Sequence, residues 1–196
     1  MNLLTTGRSI LALALVLPPM AIITGCGGNA PFVGEKLDPV TSVTIRYSTP
    51  HLVFFRGVAG RDAFARDYVD LAPVEINRSG DRRYYIWLGI WTDAGEAAGR
   101  DEFSSVTVFA DDTPLRLEIS SWTAATIGAS EPVHKKPIAS AVDAFYEVTI
   151  GQLQRVAAAT HLRLGTDSEE DEMFEPWDNH APGKAALLEF LSGSTY

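Results

Sequence analysis

Alternation of apolar and polar positions predicts that most of this chain is β-strand. Residues 43–48 place apolar side chains at every second position, the period-2 pattern of a strand with one buried face. The run 52–55 is more continuously apolar and predicts a more fully buried strand. Residues 56–73 mix charges with single apolar residues, and their pattern predicts no element.

Two β-hairpins are predicted next, each from two strand-like runs around a polar turn. The first joins 74–77 to 84–92 through a turn that contains Gly80. The second joins 106–110 to 115–119 across a turn rich in aspartate. Residues 84–92 are apolar on both faces, which predicts a central strand that is covered on each side.

The helical signals come late in the chain, after an irregular polar segment at 121–140. Residues 145–164 read as a βαβ-like element, in which Thr149 and Gln152 have the spacing of a capping box at the start of a helix. A C-terminal helix is predicted over 184–191, beginning near Pro182.

These elements predict an α+β fold: one domain, residues 41–196, of mostly antiparallel β-sheet with one internal helix and a C-terminal helix. A β-sandwich with helical additions is the alternative. The composition, 46% hydrophobic and 21% charged, is that of an ordinary globular protein. A domain of this size buries roughly 70% of its unfolded surface and needs no metal or disulfide to fold.

The first 25 residues have the layout of a secretory signal. A short segment with one positive charge, Arg8, precedes an apolar stretch at 9–23 that Pro18 and Pro19 interrupt. The stretch falls short of the ~18–20 uninterrupted apolar residues that a spanning helix requires. It therefore predicts an export signal and not a transmembrane anchor.

Ile23-Thr24-Gly25-Cys26 resembles the lipobox of bacterial lipoprotein signal peptides. The resemblance implies cleavage between Gly25 and Cys26, a diacylglyceryl thioether on the Cys26 sulfur, and fatty acylation, such as palmitate, of the new amino group. Cys26 is the single cysteine of the chain, and an unpaired thiol is otherwise unusual in an exported protein. Two or three acyl chains give stable membrane anchoring.

The residues around Cys26 refine this expectation. Gly27 is not the aspartate that retains lipoproteins at the inner membrane of enteric bacteria, so we expect the outer membrane, facing the periplasm or the cell surface. Residues 26–40 carry the lipid and then read as a flexible tether, because they are rich in glycine and proline.

The net charge of the chain limits the classes of partner that it can attract electrostatically. The net charge is −9, and removal of the signal makes it more negative because Arg8 is lost with no acid. Such a surface repels nucleic acid and anionic head groups, so neither is expected as an electrostatic partner. Membrane attachment is expected through the lipid on Cys26.

Motifs for metal binding or catalysis are absent from the sequence. The 4 histidines stand far apart, so no metal or cofactor is predicted. The acidic run 169–172, with Glu175 and Asp178 nearby, contains the oxygen ligands that Ca²⁺ prefers, but its layout favours a solvated loop. No catalytic residue is predicted, although a triad assembled from distant residues would leave no motif.

Aromatic residues supply the candidate contacts. Tyr85, Trp87 and Trp91 share one face of the apolar run 84–92, and we expect them in the core; a platform for a glycan or peptide is the alternative. Trp122 and Trp177 lie in polar segments and are the predicted binding residues, because an exposed aromatic side chain can anchor a contact.

The function expected from these observations is that of a non-enzymatic cell-envelope lipoprotein that binds a protein or cell-wall partner. A lipid-anchored enzyme with a dispersed active site is the alternative. An envelope stress or assembly factor without a small ligand is a third possibility, and the sequence does not distinguish it from the binding lipoprotein.

Overall fold

A computed structural model describes residues 32–58, 64–93, 99–167, 173–177 and 181–194. The strands, in chain order, are β1 (Val33–Leu37), β2 (Thr44–Ser48), β3 (Leu52–Gly57), β4 (Arg66–Arg78), β5 (Asp81–Thr92), β6 (Ser105–Ala110), β7 (Thr113–Glu118), β8 (Val142–Val148), β9 (Leu162–Thr166) and β10 (Glu175–Pro176). The helices are α1 (Ala124–Ile127), α2 (Ile150–Ala158) and α3 (Ala181–Gly193), and a 3₁₀ turn covers Arg100–Phe103.

The larger sheet is built around β4. β5 pairs along the whole of β4 on one side, and β8 pairs with β5 beyond it. On the other side two shorter strands share β4: β3 pairs with 66–71 and β2 with 74–77. β10 extends the sheet beyond β3, and β1 extends it beyond β2. All of these pairings are antiparallel.

Pro73 lies within the central strand β4, a place that proline normally avoids because it has no N–H to donate. The β3 ladder ends at Leu71 and the β2 ladder begins at Val74. Pro73 therefore falls in the gap between the two ladders, where the missing N–H costs no pairing.

Both predicted hairpins form, with tighter turns than the sequence indicated. Ser79 and Gly80 connect β4 to β5 with φ of 52° and 98°, and Asp111 and Asp112 connect β6 to β7 with φ of 48° and 64°. Positive φ at both central residues is the type I′ geometry, whose twist matches that of the flanking strands. Asn77 Oδ1 accepts a hydrogen bond from Gly80 N at 2.8 Å and stabilises the first turn.

The two faces of the larger sheet are covered differently. Face one is defined by the side chains of Phe54, Leu71, Ile86 and Tyr146, all buried. They share one core with the small sheet β7–β6–β9 and with α2 and α3. Face two carries a second core that includes Ile45, Val74, Tyr85, Trp87 and Phe145; its cover is the segment 121–141, which contains α1 and contributes Ile127, Ala129 and Val133.

The α+β prediction is confirmed: antiparallel sheet dominates, with the internal helix α2 and the C-terminal helix α3. The capping box at the start of α2 is confirmed, since Gln152 N donates to Thr149 Oγ1 at 3.2 Å and Thr149 N donates to Gln152 Oε1 at 2.7 Å. The βαβ-like prediction is wrong. β8 joins the larger sheet and β9 the smaller one, so α2 connects two sheets.

Part of the predicted tether, 26–40, is a strand. Val33–Leu37 form β1, which pairs with β2 in register Val33 to Ser48. Asp38 is buried at the following turn and accepts hydrogen bonds from the backbone N–H groups of Val40, at 2.9 Å, and Thr41, at 3.1 Å. This segment has the composition of a loop, but strand pairing and the hydrogen bonds to Asp38 give it a regular structure. Composition alone does not reveal either interaction.

Candidate binding surface

The predicted contact residues Trp122 and Trp177 have different surroundings. Trp122 is half-buried against the core of face one, with the Arg100 guanidinium 5.7 Å from its ring centre. Trp177 follows β10 and is 53% exposed. It is held there by its backbone N–H, which donates to the Val53 carbonyl of β3 at 2.9 Å. Of the two residues, Trp177 alone is strongly exposed.

Trp177 completes a row of aromatic side chains across face two. Phe55, Tyr68 and Trp91 are direct partners across β3, β4 and β5, so their side chains stand side by side. The rings of Tyr68 and Trp91 stack at 4.1 Å with 12° between their planes, and Trp177 meets Phe55 at 5.2 Å and Tyr68 at 5.5 Å. We call these four residues the aromatic row.

The aromatic row lies beyond the cover of face two. Tyr85 and Trp87, predicted as core, are buried beneath the segment 121–141. Trp91, also expected in the core, is only half-buried. The expectation is wrong for Trp91 because the covering segment does not extend to the end of β5 at which this residue lies.

A chain of polar side chains separates the covered half of face two from the aromatic row. Asp70 is two residues from Tyr68 on β4, so the two share a face. Its Oδ1 accepts a hydrogen bond from Trp91 Nε1 at 3.3 Å, and its Oδ2 lies 3.4 Å from His51 Nδ1. His51 Nε2 in turn lies 3.1 Å from Nδ1 of His134, which belongs to the covering segment. We call Asp70, His51 and His134 the polar chain.

The charge states along the polar chain follow from burial. His134 is buried against the Trp87 ring at 4.3 Å, and its Nε2 has no hydrogen-bond partner among the described residues. Burial lowers the pKa of His134 well below its ordinary value, and the electrostatic effects of His51 and Lys36 lower it further. With His134 neutral, one assignment of the ring protons lets His134 Nδ1–H donate to His51 Nε2 while His51 Nδ1–H donates to Asp70.

A second carboxylate borders the aromatic row. Asp93 Oδ1 accepts a hydrogen bond from Arg66 N at 2.7 Å, and its Oδ2 lies 3.5 Å from the Tyr68 hydroxyl. Burial raises the pKa of Tyr68, and the charge of Asp93 raises it further. Tyr68 therefore remains a neutral hydrogen-bond donor, and the row combines apolar ring surface with acceptor oxygens at its border.

The polar chain does not form a nucleophilic triad. In such a triad the histidine lies between a carboxylate and a hydroxyl or thiol. Here the hydrogen-bonding partners of the His51 ring are Asp70 and His134. Among the described residues, no group of three or more His, Cys, Asp or Glu side chains is arranged to hold a metal ion.

Several sequence predictions fall on residues outside the described ranges. They are the cleavage site Gly25–Cys26 with its lipid and the acidic run 169–172 with Asp178. Glu175, which was grouped with that run, lies in β10 and is exposed. No helix within the described ranges combines the length and apolarity that crossing a bilayer requires.

Phe55, Tyr68, Asp70 and His51 were not singled out from the sequence. A signal for two of them exists in the segment left unassigned: Val69 and Leu71 alternate with Tyr68 and Asp70, the strand period. Arg56, at the start of that segment, pairs with Asp67 of the neighbouring strand at 3.2 Å and with the more distant Glu102 at 2.8 Å. Such ion pairs stabilise a strand that contains charged residues, and the local sequence pattern does not reveal them.

Comparisons of the chain with protein-family models, curated proteins and solved structures find no match.

Proposed function

We propose that this chain is a lipid-anchored protein of the bacterial cell envelope that binds a protein or cell-wall partner through the aromatic row. The observation that carries the binding proposal is Trp177, 53% exposed and in contact with Phe55 and Tyr68 at the open end of face two. The anchor rests on the lipobox that ends at Cys26.

An aromatic row of this kind suits recognition for energetic reasons. Tyrosine and tryptophan offer large rigid surfaces and lose little conformational entropy on binding, and they dominate the binding energy of many interfaces. Stacking of Tyr68 on Trp91 and the bond from Trp91 Nε1 to Asp70 hold these rings before a partner arrives. Preorganisation reduces the cost of association.

The binding hypothesis is favoured over the enzyme alternative by the contacts around His51. An active site for acyl transfer needs a nucleophile at the ring nitrogen opposite the carboxylate. At that nitrogen the polar chain has a second imidazole, His134, 3.1 Å away. The exposed rings provide contact surface and no reactive group.

Photo-crosslinking in cells tests the binding proposal. A photoreactive amino acid replaces Trp177 in the lipidated protein, and the matched control places it at Leu188 of α3, which is also 53% exposed. We expect reproducible adducts to an envelope protein or to isolated sacculi from position 177 only. Equal labelling from both positions, or none from either, contradicts the proposal.

The same experiment is repeated with Phe55→Ala in the background of the crosslinker at 177. Loss of most of the adduct is expected, because Phe55 supports the Trp177 ring from the side, at 90° between ring planes. Adducts to proteins and to sacculi are separated by digestion with protease or with a muralytic enzyme, which distinguishes the two partner classes.

The anchor is tested by Cys26→Ser. A hydroxyl does not accept the diacylglyceryl thioether, so we expect a precursor without fatty-acid label and without the normal cleavage. Lipid attached by two or three chains gives stable membrane binding. A Cys26→Ser protein that is trimmed as usual and still fractionates with membranes contradicts the proposed anchor.

A further inference from the structure

A cationic pocket lies at the end of the larger sheet that carries the β4–β5 turn. It has a volume of about 210 Å³ and lies between this hairpin and α1; its polar lining comes from Arg78, Asp81, Arg83, Tyr85 and Thr126. We call it the hairpin pocket. Tyr68 of the aromatic row and Ile76 of the pocket are eight residues apart on β4, about 26 Å at the rise of a strand, so the two sites are separate.

The two arginines of the hairpin pocket have unused hydrogen-bonding capacity. The Arg78 side chain forms no hydrogen bond or ion pair within the part of the chain that the structure describes. Arg83 interacts with the Tyr85 hydroxyl and lies 3.8 Å from Asp81, in a pair whose side chains are 58% and 69% exposed; such exposed pairs are weak. The protein has a net charge of −9. The hairpin pocket differs from this overall charge, because its two guanidinium groups lack a strong acidic partner.

Strand pairing fixes the backbone positions of both arginines. Arg78 and Asp81 flank the type I′ turn and are direct partners, and Arg83 is paired with Ile76. On the opposite wall, Gly128 ends α1 with φ of 101°. A Cβ on Gly128 would lie only 3.3 Å from Arg78 Nη2, so the absence of a side chain there lets the guanidinium approach the end of α1.

We propose that the hairpin pocket binds a phosphate group, held by the guanidinium groups of Arg78 and Arg83 and by the Thr126 hydroxyl. Guanidinium presents paired N–H donors that match the oxygens of phosphate. The volume is below the 300–1,000 Å³ typical of pockets for drug-sized ligands, and it therefore suits one small polar group.

A phosphate group reaches such a pocket either as a soluble ligand or as the head group of a membrane lipid. The overall negative charge opposes long-range attraction to an anionic bilayer, but recognition inside the pocket depends on the local donors. Both sources use the same chemistry at Arg78 and Arg83, and the composition of the membrane distinguishes them.

Equilibrium dialysis with labelled inorganic phosphate tests the proposal on the full lipidated protein in vesicles of neutral phosphatidylcholine. We expect saturable binding at one site. Arg78→Gln and Arg83→Gln each weaken it about tenfold or more, the usual effect of losing a hydrogen bond to a charged group. Thr126→Val, which changes no charge, weakens it severalfold.

Arg82→Gln is the matched control. It removes the same charge from the same hairpin, but the Arg82 guanidinium lies 3.6 Å from Glu75, a residue of the opposite face of β4. We expect phosphate affinity within twofold of the original protein. Equal losses from the Arg82 and Arg78 changes, or binding that does not saturate, overturn the proposal because they indicate general charge attraction. Thermal unfolding of each variant identifies any loss that reflects misfolding.

Vesicles that contain phosphatidylglycerol identify the source. If the lipid head group occupies the pocket, inorganic phosphate binds more weakly to the protein in these vesicles, and the difference disappears in Arg78→Gln. If phosphate binds equally well in both membranes, the ligand is soluble. Absence of phosphate binding in neutral vesicles overturns the proposal for either source.

Discussion

Phe54 and Phe55 are neighbours on one strand and show how differently the two faces of the larger sheet are used. Phe54 is fully buried on face one, within the core shared by both sheets, α2 and α3. Phe55 points to face two and is only half-buried, beside Trp177. The same type of side chain is thus fully buried at one position and half-buried at the next, because the cover of face two does not extend to Phe55.

Only one half of face two is covered by another part of the chain. The segment 121–141 covers Val74, Tyr85 and Trp87 at one half and reaches as far as His134. The polar chain stands at this border, and the aromatic row follows where the cover ends. A sheet face with a partial cover offers a rigid, apolar surface without the instability of a wholly exposed one.

The first test is Phe54→Ala, for which we expect a loss of about 3–5 kcal/mol in the free energy of unfolding, because a large cavity opens in a close-packed core. Phe55→Ala is the paired change and should cost less than half as much, since water reaches its site. Chemical denaturation measures both. Similar losses for the two residues would refute the distinction between the faces.

Gly183→Ala tests how closely α3 is packed on the edge of face one. The added Cβ would lie 2.7 Å from the His51 carbonyl oxygen, so the helix must shift, and we expect a loss of roughly 1–3 kcal/mol. Gly151→Ala in α2 is the control, since its Cβ meets nothing closer than 4.0 Å. There a neutral or slightly stabilising effect is expected from helix propensity. The midpoint of thermal unfolding should therefore fall in Gly183→Ala and stay unchanged or rise slightly in Gly151→Ala.

The polar chain makes stability depend on pH. The pKa of His134 is lower in the folded state than in the unfolded one, so the unfolded state binds more protons as the pH falls below about 6.5. The stabilisation from neutral His134 is complete above that pH and decreases as the pH falls toward the folded pKa. We expect the midpoint of thermal unfolding to decrease over this range, and less steeply in His134→Gln. Parallel curves for the two proteins would contradict this assignment.

Among the large side chains tested, the smallest change in stability is expected for Trp177→Ala. The side chain is 53% exposed, and its removal leaves no enclosed cavity, so the cost should stay below about 1 kcal/mol. Its effect on partner binding should be large, and the affinity of the Trp177→Ala protein for the partner that crosslinking identifies measures it. A loss of stability comparable with that of Phe54→Ala would mean that Trp177 is a core residue and not a contact.

The sequence was most informative where a signal is local. Alternation located β2, β5 and both hairpins, and the spacing of Thr149 and Gln152 located the start of α2. It was least informative at β1 and in the first half of β4. β1 lies in a segment with the composition of a loop. The charged residues of β4 are paired with residues outside it: Asp67 with Arg56 of β3, and Asp70 with His51, which precedes β3.

The candidate site was predicted only in part. Trp177 was identified because it stands in a polar segment, and it is exposed. Trp122 was chosen on the same grounds and is half-buried, with Arg100 over its ring. Local polarity does not reveal whether a distant segment will cover a ring.

The sequence by itself determined the types of most strands and helices and the positions of the two tight turns, because each depends on neighbours within a few residues. Only the tertiary structure decided which aromatic rings meet, which half of face two stays open, and which arginines share a pocket. Those outcomes depend on strand register and on where the cover of a sheet ends. Both are set by contacts between residues far apart in the chain, and sequence spacing does not encode such contacts.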